Sequence, residues 1–197
     1  MSVKTRRERQ KQATREGILN AALHIAREQG WEAVTVRRVA ELVEYTPPII
    51  YEYFANKGAL LEELQQSGFA LLTNRVQGAV EGEGNAHERA LRVADAYISF
   101  AYENPEMYQL MHGWNSAEVP VEDTLKWATP LALVVQDALV AWAQEQGREL
   151  PDPKGAMEVL WALLHGLVSV EMMGRIGGGS ERVRVLARGT LENLFSQ

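Results

Sequence analysis

Arg37, Arg38, Tyr51, Tyr53 and Lys57 crowd one short stretch of the chain. Cationic and phenolic donors of this kind suit phosphate oxygens, and an arginine can also bind guanine O6 and N7 as a fork. Thr35 opens the stretch, which reads TVRRVAELVEYTPPIIYEYFANK through Lys57. As a helix N-cap, Thr35 offers a hydroxyl beside backbone N–H groups, where a helix start attracts phosphate. Thr46, Pro47, Pro48 and Ile49 form the leading end of a second segment. Its two prolines have no donors, so they could touch a thymine methyl or simply shape the approach. The chemistry is that of gripping a polyanion and reading base edges.

Two short helices must position these groups. Val36, Val39, Ala40 and Val43 fall at helical spacing behind Thr35. Thr46 caps the next helix, with Pro47 at N1 and Pro48 at N2, where a missing N–H costs little. Ile50 and Phe54 lie four apart and should pack inward. A first helix is expected from about Lys11 to Gln29, with Ile18, Ala22 and Ile25 on one face and Gly30 as its stop. Before it, the first fifteen residues carry six Lys or Arg and one acid. A basic arm leading into a helix-turn-helix pattern is a DNA-reading arrangement.

Strand signals are almost absent from the rest. Asn56 should cap a long helix reaching about Glu81, and EGEGN at 81–85 breaks it. Further helices are expected over His87–Glu103, from Pro105, and over Val121–Gln146, where Pro130 should kink or split the chain. The last two, Met157–Ile176 and Arg182–Leu194, flank Gly177-Gly178-Gly179-Ser180. The expected fold is all-α with about nine helices: a helix-turn-helix head at 1–58 and a larger helical domain at 59–197.

Composition narrows the class. Zero cysteines exclude disulfides, thiol catalysis and cysteine-based zinc sites. The net charge of −6 hides an asymmetry. Residues 1–57 hold ten Lys/Arg against seven Asp/Glu, a balance of +3, and the remainder hold ten against nineteen, a balance of −9. That suggests a phosphate-facing head on an acidic body. No uninterrupted apolar run is long enough to span a bilayer, and no apolar h-region follows the charged N-terminus. A cytoplasmic protein with no membrane partner is the expectation.

Residues 12–60 resemble the DNA-binding head of the TetR family of bacterial transcriptional regulators. The family pattern is matched by Thr35, Val39, Ala40, Ile50, Tyr51, Tyr53, Phe54 and Lys57. The turn departs from it: Glu44-Tyr45-Thr46 stands where Gly-Val-Ser is usual. That predicts a non-glycine residue at positive φ, at a cost of about 1 kcal/mol, and an acid near phosphate. LWALLHGLVSVE at 160–171 and ENPEMYQLMHG at 103–113 resemble the subgroup with a C-terminal Trp-His-Gly motif.

The resemblance implies a homodimer whose last two helices pair with their copies. Leu163, Gly166, Val183, Ala187, Leu191 and Leu194 are the dimerisation candidates, and Thr190 shares the stripe of the last helix. It also implies a small-molecule inducer site. Tyr97, Phe100, Tyr102, Met107, Met111, His112, Trp114, Trp127, Trp161 and His165 could line it, or could be plain core. No catalytic or metal site is expected, since the four histidines lack metal spacing and no Gly-rich phosphate loop is present. No cofactor is implied. The expected function is ligand-responsive repression at a palindromic double-stranded DNA operator. The alternative is a TetR-shaped protein that acts through partner or effector binding instead of operator reading.

Overall fold

The basic N-terminal residues do not form a loose arm. Lys, Arg, Gln and Glu are good helix formers and nothing between Val3 and Gln29 breaks the pattern, so α1 runs unbroken over Val3–Gln29. The structure, a computed structural model, describes residues 3–113 and 120–195, with side chains given for 6–113, 120 and 122–193. A 3₁₀ turn at Trp31–Ala33 follows Gly30, whose φ of 81° stops α1. Then come α2 (Val36–Leu42), α3 (Pro47–Tyr51) and α4 (Lys57–Glu81). The remaining helices are α5 (Ala86–Glu103), α6 (Pro105–Met111), α7 (Val121–Glu145), α8 (Pro153–Met172) and α9 (Gly179–Phe195). Nine α-helices and no strand occur among the described residues.

Starts and stops follow local chemistry. Asn56 Oδ1 accepts from Ala59 N at 2.8 Å and so opens α4. Asn85 and Glu88 close a reciprocal capping box at the head of α5. Asp152 caps α8, which begins at Pro153, four residues before the expected start at Met157, and the Asp152 side chain accepts from Gly155 N. Pro130 does not split its helix: α7 runs from Val121 to Glu145 with the proline inside it. A proline deletes one backbone donor, and one lost bond does not end a helix of this length.

The chain divides into two compact units, Met1–Gly68 with Glu106–Thr124, and Phe69–Pro105 with Leu125–Gln197. In the first, Ile18, Ala22, Trp31, Val34, Val39, Ala40, Ile50 and Phe54 are buried. Arg15 ties this core together. Its Nε donates to Glu63 Oε1 at 2.7 Å, Nη2 pairs with Glu63 Oε2, and Nη1 donates to the Tyr53 carbonyl at 2.9 Å. The guanidinium also stands 4.4 Å from the Phe54 ring centre. Trp31 Nε1 donates to the Glu106 carbonyl at 3.0 Å. Gln65, 1 % exposed, donates to the Leu110 and Met111 carbonyls at 3.2 Å each, and Thr124 Oγ1 donates to its Oε1 at 3.3 Å.

In the second unit α9 packs on α5 and α8. Val183, Ala187 and Leu191 are buried there, and Arg184 reaches Asp95 Oδ1 at 2.6 Å and Ser99 Oγ at 3.0 Å on α5. Tyr102 donates to Glu171 Oε2 on α8 at 2.6 Å. Helix α8 is long and apolar enough to cross a membrane by length and composition. Lys154, Glu158 and Glu171 interrupt it, consistent with the absence of an uninterrupted apolar run.

Replacing Arg15 with Ala removes a carboxylate pair, a carbonyl contact and a ring contact at once. The expected loss is about 1–2 kcal/mol of unfolding free energy for a partly exposed site, read by urea denaturation. Arg15→Lys keeps the charge but not the fork, and should recover less than half of it.

Candidate nucleic-acid interface

The helix-turn-helix separates an inner from an outer face. Val39, Ala40, Ile50 and Phe54 are buried, whereas Thr35, Arg37, Arg38, Thr46, Pro47, Pro48 and Tyr51 are exposed. Ile49, Tyr53 and Lys57 are half-buried. The ten residues singled out for phosphate and base contact therefore lie on one short structural unit, with at least part of each side chain facing outward.

Thr35, Arg37 and Arg38 are held by local contacts. Thr35 Oγ1 accepts from Arg38 N at 3.2 Å, the expected N-cap bond. Arg37 pairs with Glu41 at 3.0 Å one turn on, both well exposed. Such a surface pair contributes only a few tenths of a kcal/mol, so phosphate can take the guanidinium from it. Arg38 donates to Gln29 Oε1 at the end of α1. Thr46 sits at the N-cap of α3 without a side-chain cap bond. Pro47 and Pro48 occupy N1 and N2 there. That position lacks intrahelical acceptors, so neither proline costs the helix a bond. Tyr51, 54 % exposed, projects from the last turn of α3, and the Tyr53 carbonyl is fixed by Arg15.

The turn bears out the expectation about its missing glycine. Glu44 has φ 58° and is the only non-glycine residue at positive φ among the described residues. Its strain is tolerated because the turn on either side is bonded: Glu44 N donates to Glu41 O at 3.3 Å and Tyr45 N to Ala40 O at 2.9 Å.

The ligand candidates are shared between the two units. Met107, Met111 and His112 belong to the first unit, and Tyr97, Phe100, Tyr102, Trp127, Trp161 and His165 to the second. Trp114 lies outside the described residues. Tyr97, Phe100 and Met111 are core, at 5 %, 0 % and 2 % exposure. Met107 and Met111 rest on Gly68, where an added Cβ would come within 2.8 Å of Met107 Cγ and 2.7 Å of Met111 Sδ. His112 Nδ1 lies 2.8 Å from the Tyr108 carbonyl. Trp161 is exposed and stacks on His165 with ring centres 5.8 Å apart. Burial pushes the His165 pKa down, and Ser169 Oγ lies 3.4 Å from its Nε2.

Two surface grooves, of about 200 Å³ between α5 and α9 and about 320 Å³ between α1 and α2, are lined by none of these candidates. Among the described residues no group of His, Asp or Glu is placed to hold a metal ion.

Of the dimerisation candidates on α9, Val183, Ala187 and Leu191 are buried, on a helix that packs against α5 and α8 of the same chain. The Leu194 side chain lies outside the described residues. Uncovered apolar surface sits instead on α8. Val159, Val170 and Met173 are exposed, and together with half-buried Leu163 and Gly166 they fall on one helical face. Hydrophobic periodicity alone could not rank the two helices, because each shows a stripe.

A helix-turn-helix with a buried inner face and exposed arginines, phenols and prolines defines a DNA-binding transcription regulator. The family described as bacterial regulatory proteins, tetR family, matches residues 18–64. The tetracyclin repressor-like C-terminal domain matches residues 90–194. The chain belongs to the TetR family of bacterial transcriptional regulators.

The HTH-type transcriptional regulator YobS of Bacillus subtilis is 29 % identical over 96 residues, which cover 49 % of this chain and 50 % of YobS. The chain spans about half the length of the curated relatives it first matches. The solved structure of a Rhodococcus sp. RHA1 protein with unknown function aligns at a TM-score of 0.79 and 26 % identity, over 93 % of this chain and 95 % of that one. The TetR family regulator PfmR from Thermus thermophilus aligns at a TM-score of 0.71 and 17 % identity, over 91 % of this chain and 97 % of that one, and shares the fold.

Glu44→Gly should raise unfolding free energy by about 0.5–1 kcal/mol, because only glycine occupies positive φ without a Cβ penalty. Glu44→Ala removes the charge but keeps the Cβ. An equal gain in both variants would assign the effect to charge and not to backbone strain.

Proposed function

We propose that the protein is a ligand-responsive repressor that binds a palindromic operator as a homodimer. The head at 1–58 holds the DNA and the domain at 59–197 carries the dimer contact and the effector site. One observation carries the DNA reading. Pro47, Pro48 and Tyr51 of α3 are exposed and half-buried Tyr53 and Lys57 follow its end, while the inward Ile50 and Phe54 are buried. In this reading Tyr51, Tyr53, Lys57 and Thr35 grip phosphate. Arg37 and Arg38 serve phosphate or a base edge, and Thr46, Pro47, Pro48 and Ile49 meet the floor of the major groove.

A second copy is the natural cover for the α8 face of Val159, Leu163, Gly166, Val170 and Met173. A two-fold dimer also brings two heads to successive major grooves, about 34 Å apart. The effector is a small apolar or aromatic molecule. From Leu125 to Asp137 no residue of α7 is fully covered, although Trp127, Leu131, Val134 and Val135 are apolar. A half-covered apolar helix wall supports such a ligand. Binding shifts the population toward a conformation that holds the heads away from groove spacing, and the operator is released.

Selection from a genomic fragment library at moderate salt should return a palindromic site, and apolar compounds that raise Tm should release it. Lys57→Ala and Tyr53→Phe should weaken binding to that site and to scrambled DNA alike, whereas Arg37→Ala should also relax preference. Retention without any preferred sequence would refute operator reading.

An added Cβ at Gly166 meets nothing within 4 Å, so Gly166→Arg leaves the protomer fold unhindered but fills the space a second α8 would use. Sedimentation should show a monomer for this variant and a dimer for the parent. A dimer in both would remove this face as the interface.

A further inference from the structure

We infer that the N-terminal third of α1 is a second DNA-backbone contact, with Arg7 and Lys11 extending the phosphate-facing side of the head beyond Tyr53 and Lys57. This rests on the reading that the head binds DNA, and goes beyond it by adding a contact outside the helix-turn-helix.

Three observations meet here. First, α1 is continuous from Val3 to Gln29, but its first buried residue is Ile18, and residues 6–13 are all exposed. At 1.5 Å per residue, residues 6–13 extend about 12 Å ahead of Thr14, the first position that is not fully exposed. That segment adds nothing to packing.

Second, the face is defined. Arg7, Lys11, Arg15, Ile18 and Ala22 follow one another at intervals of four, four, three and four, so they share one side of the helix. The direction of that side is known from Arg15, which meets Glu63, the Tyr53 carbonyl and the Phe54 ring. Lys11 and Arg7 therefore continue the side on which α3 ends and α4 begins, about 6 and 12 Å further along the axis. The Tyr53 carbonyl bound by Arg15 marks the place where that row starts.

Third, the charge fits one kind of occupant. Residues 6–15 carry Arg6, Arg7, Arg9, Lys11 and Arg15 against Glu8 alone. Arg15 is committed to Glu63. Cations spaced along a rod match a polymer of anions and not a single carboxylate. Duplex DNA presents one charge per about 1.7 Å of axis, so every position along the row finds a phosphate. Backbone contact of this kind carries no sequence information, and its signature is salt dependence.

The test uses the full chain and a labelled duplex of about 40 base pairs of arbitrary sequence, titrated between about 50 and 200 mM KCl. Arg7→Gln with Lys11→Gln preserves helix propensity and should flatten the slope of log K against log salt by about 1.8, at about 0.9 per lost phosphate contact. Arg7→Lys with Lys11→Arg keeps both charges and should retain the parent slope. Lys57→Ala is the reference for the head and should flatten it by about 0.9.

If the glutamine pair leaves the slope unchanged while Lys57→Ala flattens it, the arm contact is overturned and the head reading stands. If the parent binds no duplex, or no variant changes the slope, the DNA-binding reading fails and takes the arm contact with it.

Discussion

The guanidinium of Arg15 is the point on which the geometry of the head turns. One planar group faces a carboxylate on α4, the backbone carbonyl just after α3 and the ring of Phe54. Arginine can do this because its donors form a rigid fork and its flat face stacks on an aromatic ring. The exit of α3 and the entry of α4 are thereby referred to the same side of α1. A five-residue α3 is far too short to hold its own orientation, so the direction in which Tyr51 and Tyr53 project depends on contacts outside it.

The recognition end of α3 is built from what the turn withholds as much as from what it supplies. Pro47 and Pro48 contribute apolar surface and no donors at the two positions where donors would lack intrahelical partners. Thr46 is left without a cap bond in return. Upstream, Glu44 holds a left-handed conformation suited to glycine. The turn thus stores strain, and places an acid, just ahead of the exposed leading end of α3. Both features come from the departure of Glu44 from the glycine usual at that turn.

Apolar surface is divided unequally in the second unit. The stripe of α9 is consumed internally by α5 and α8, with Arg184 bridging to Asp95 and Ser99 at the margin. The outer face of α8 is left bare over Val159, Val170 and Met173, and its open glycine at 166 allows another backbone to approach. The Leu125–Asp137 stretch of α7 stays only half covered. A sequence of ordinary apolar content thus keeps two incompletely covered apolar surfaces after its core is made.

Much of this was legible from residue order. Caps at Thr35 and Asn56, the stops at Gly30 and 81–85, and the inward packing of Ile50 and Phe54 are local matters, decided by orphan N–H groups and helical period. The positive φ of Glu44 also followed from position within a motif. What residue order could not supply was the partner of each face. Arg15 and Glu63 lie forty-eight residues apart, and nothing local distinguishes that arginine from its neighbours in a basic run. The α8 and α9 stripes have similar periodicity, and only packing decided that α9 is covered by its own chain while α8 is not. Local backbone chemistry depends on near neighbours, so sequence determined it alone. Burial depends on which distant segments meet, so the tertiary structure determined the rest.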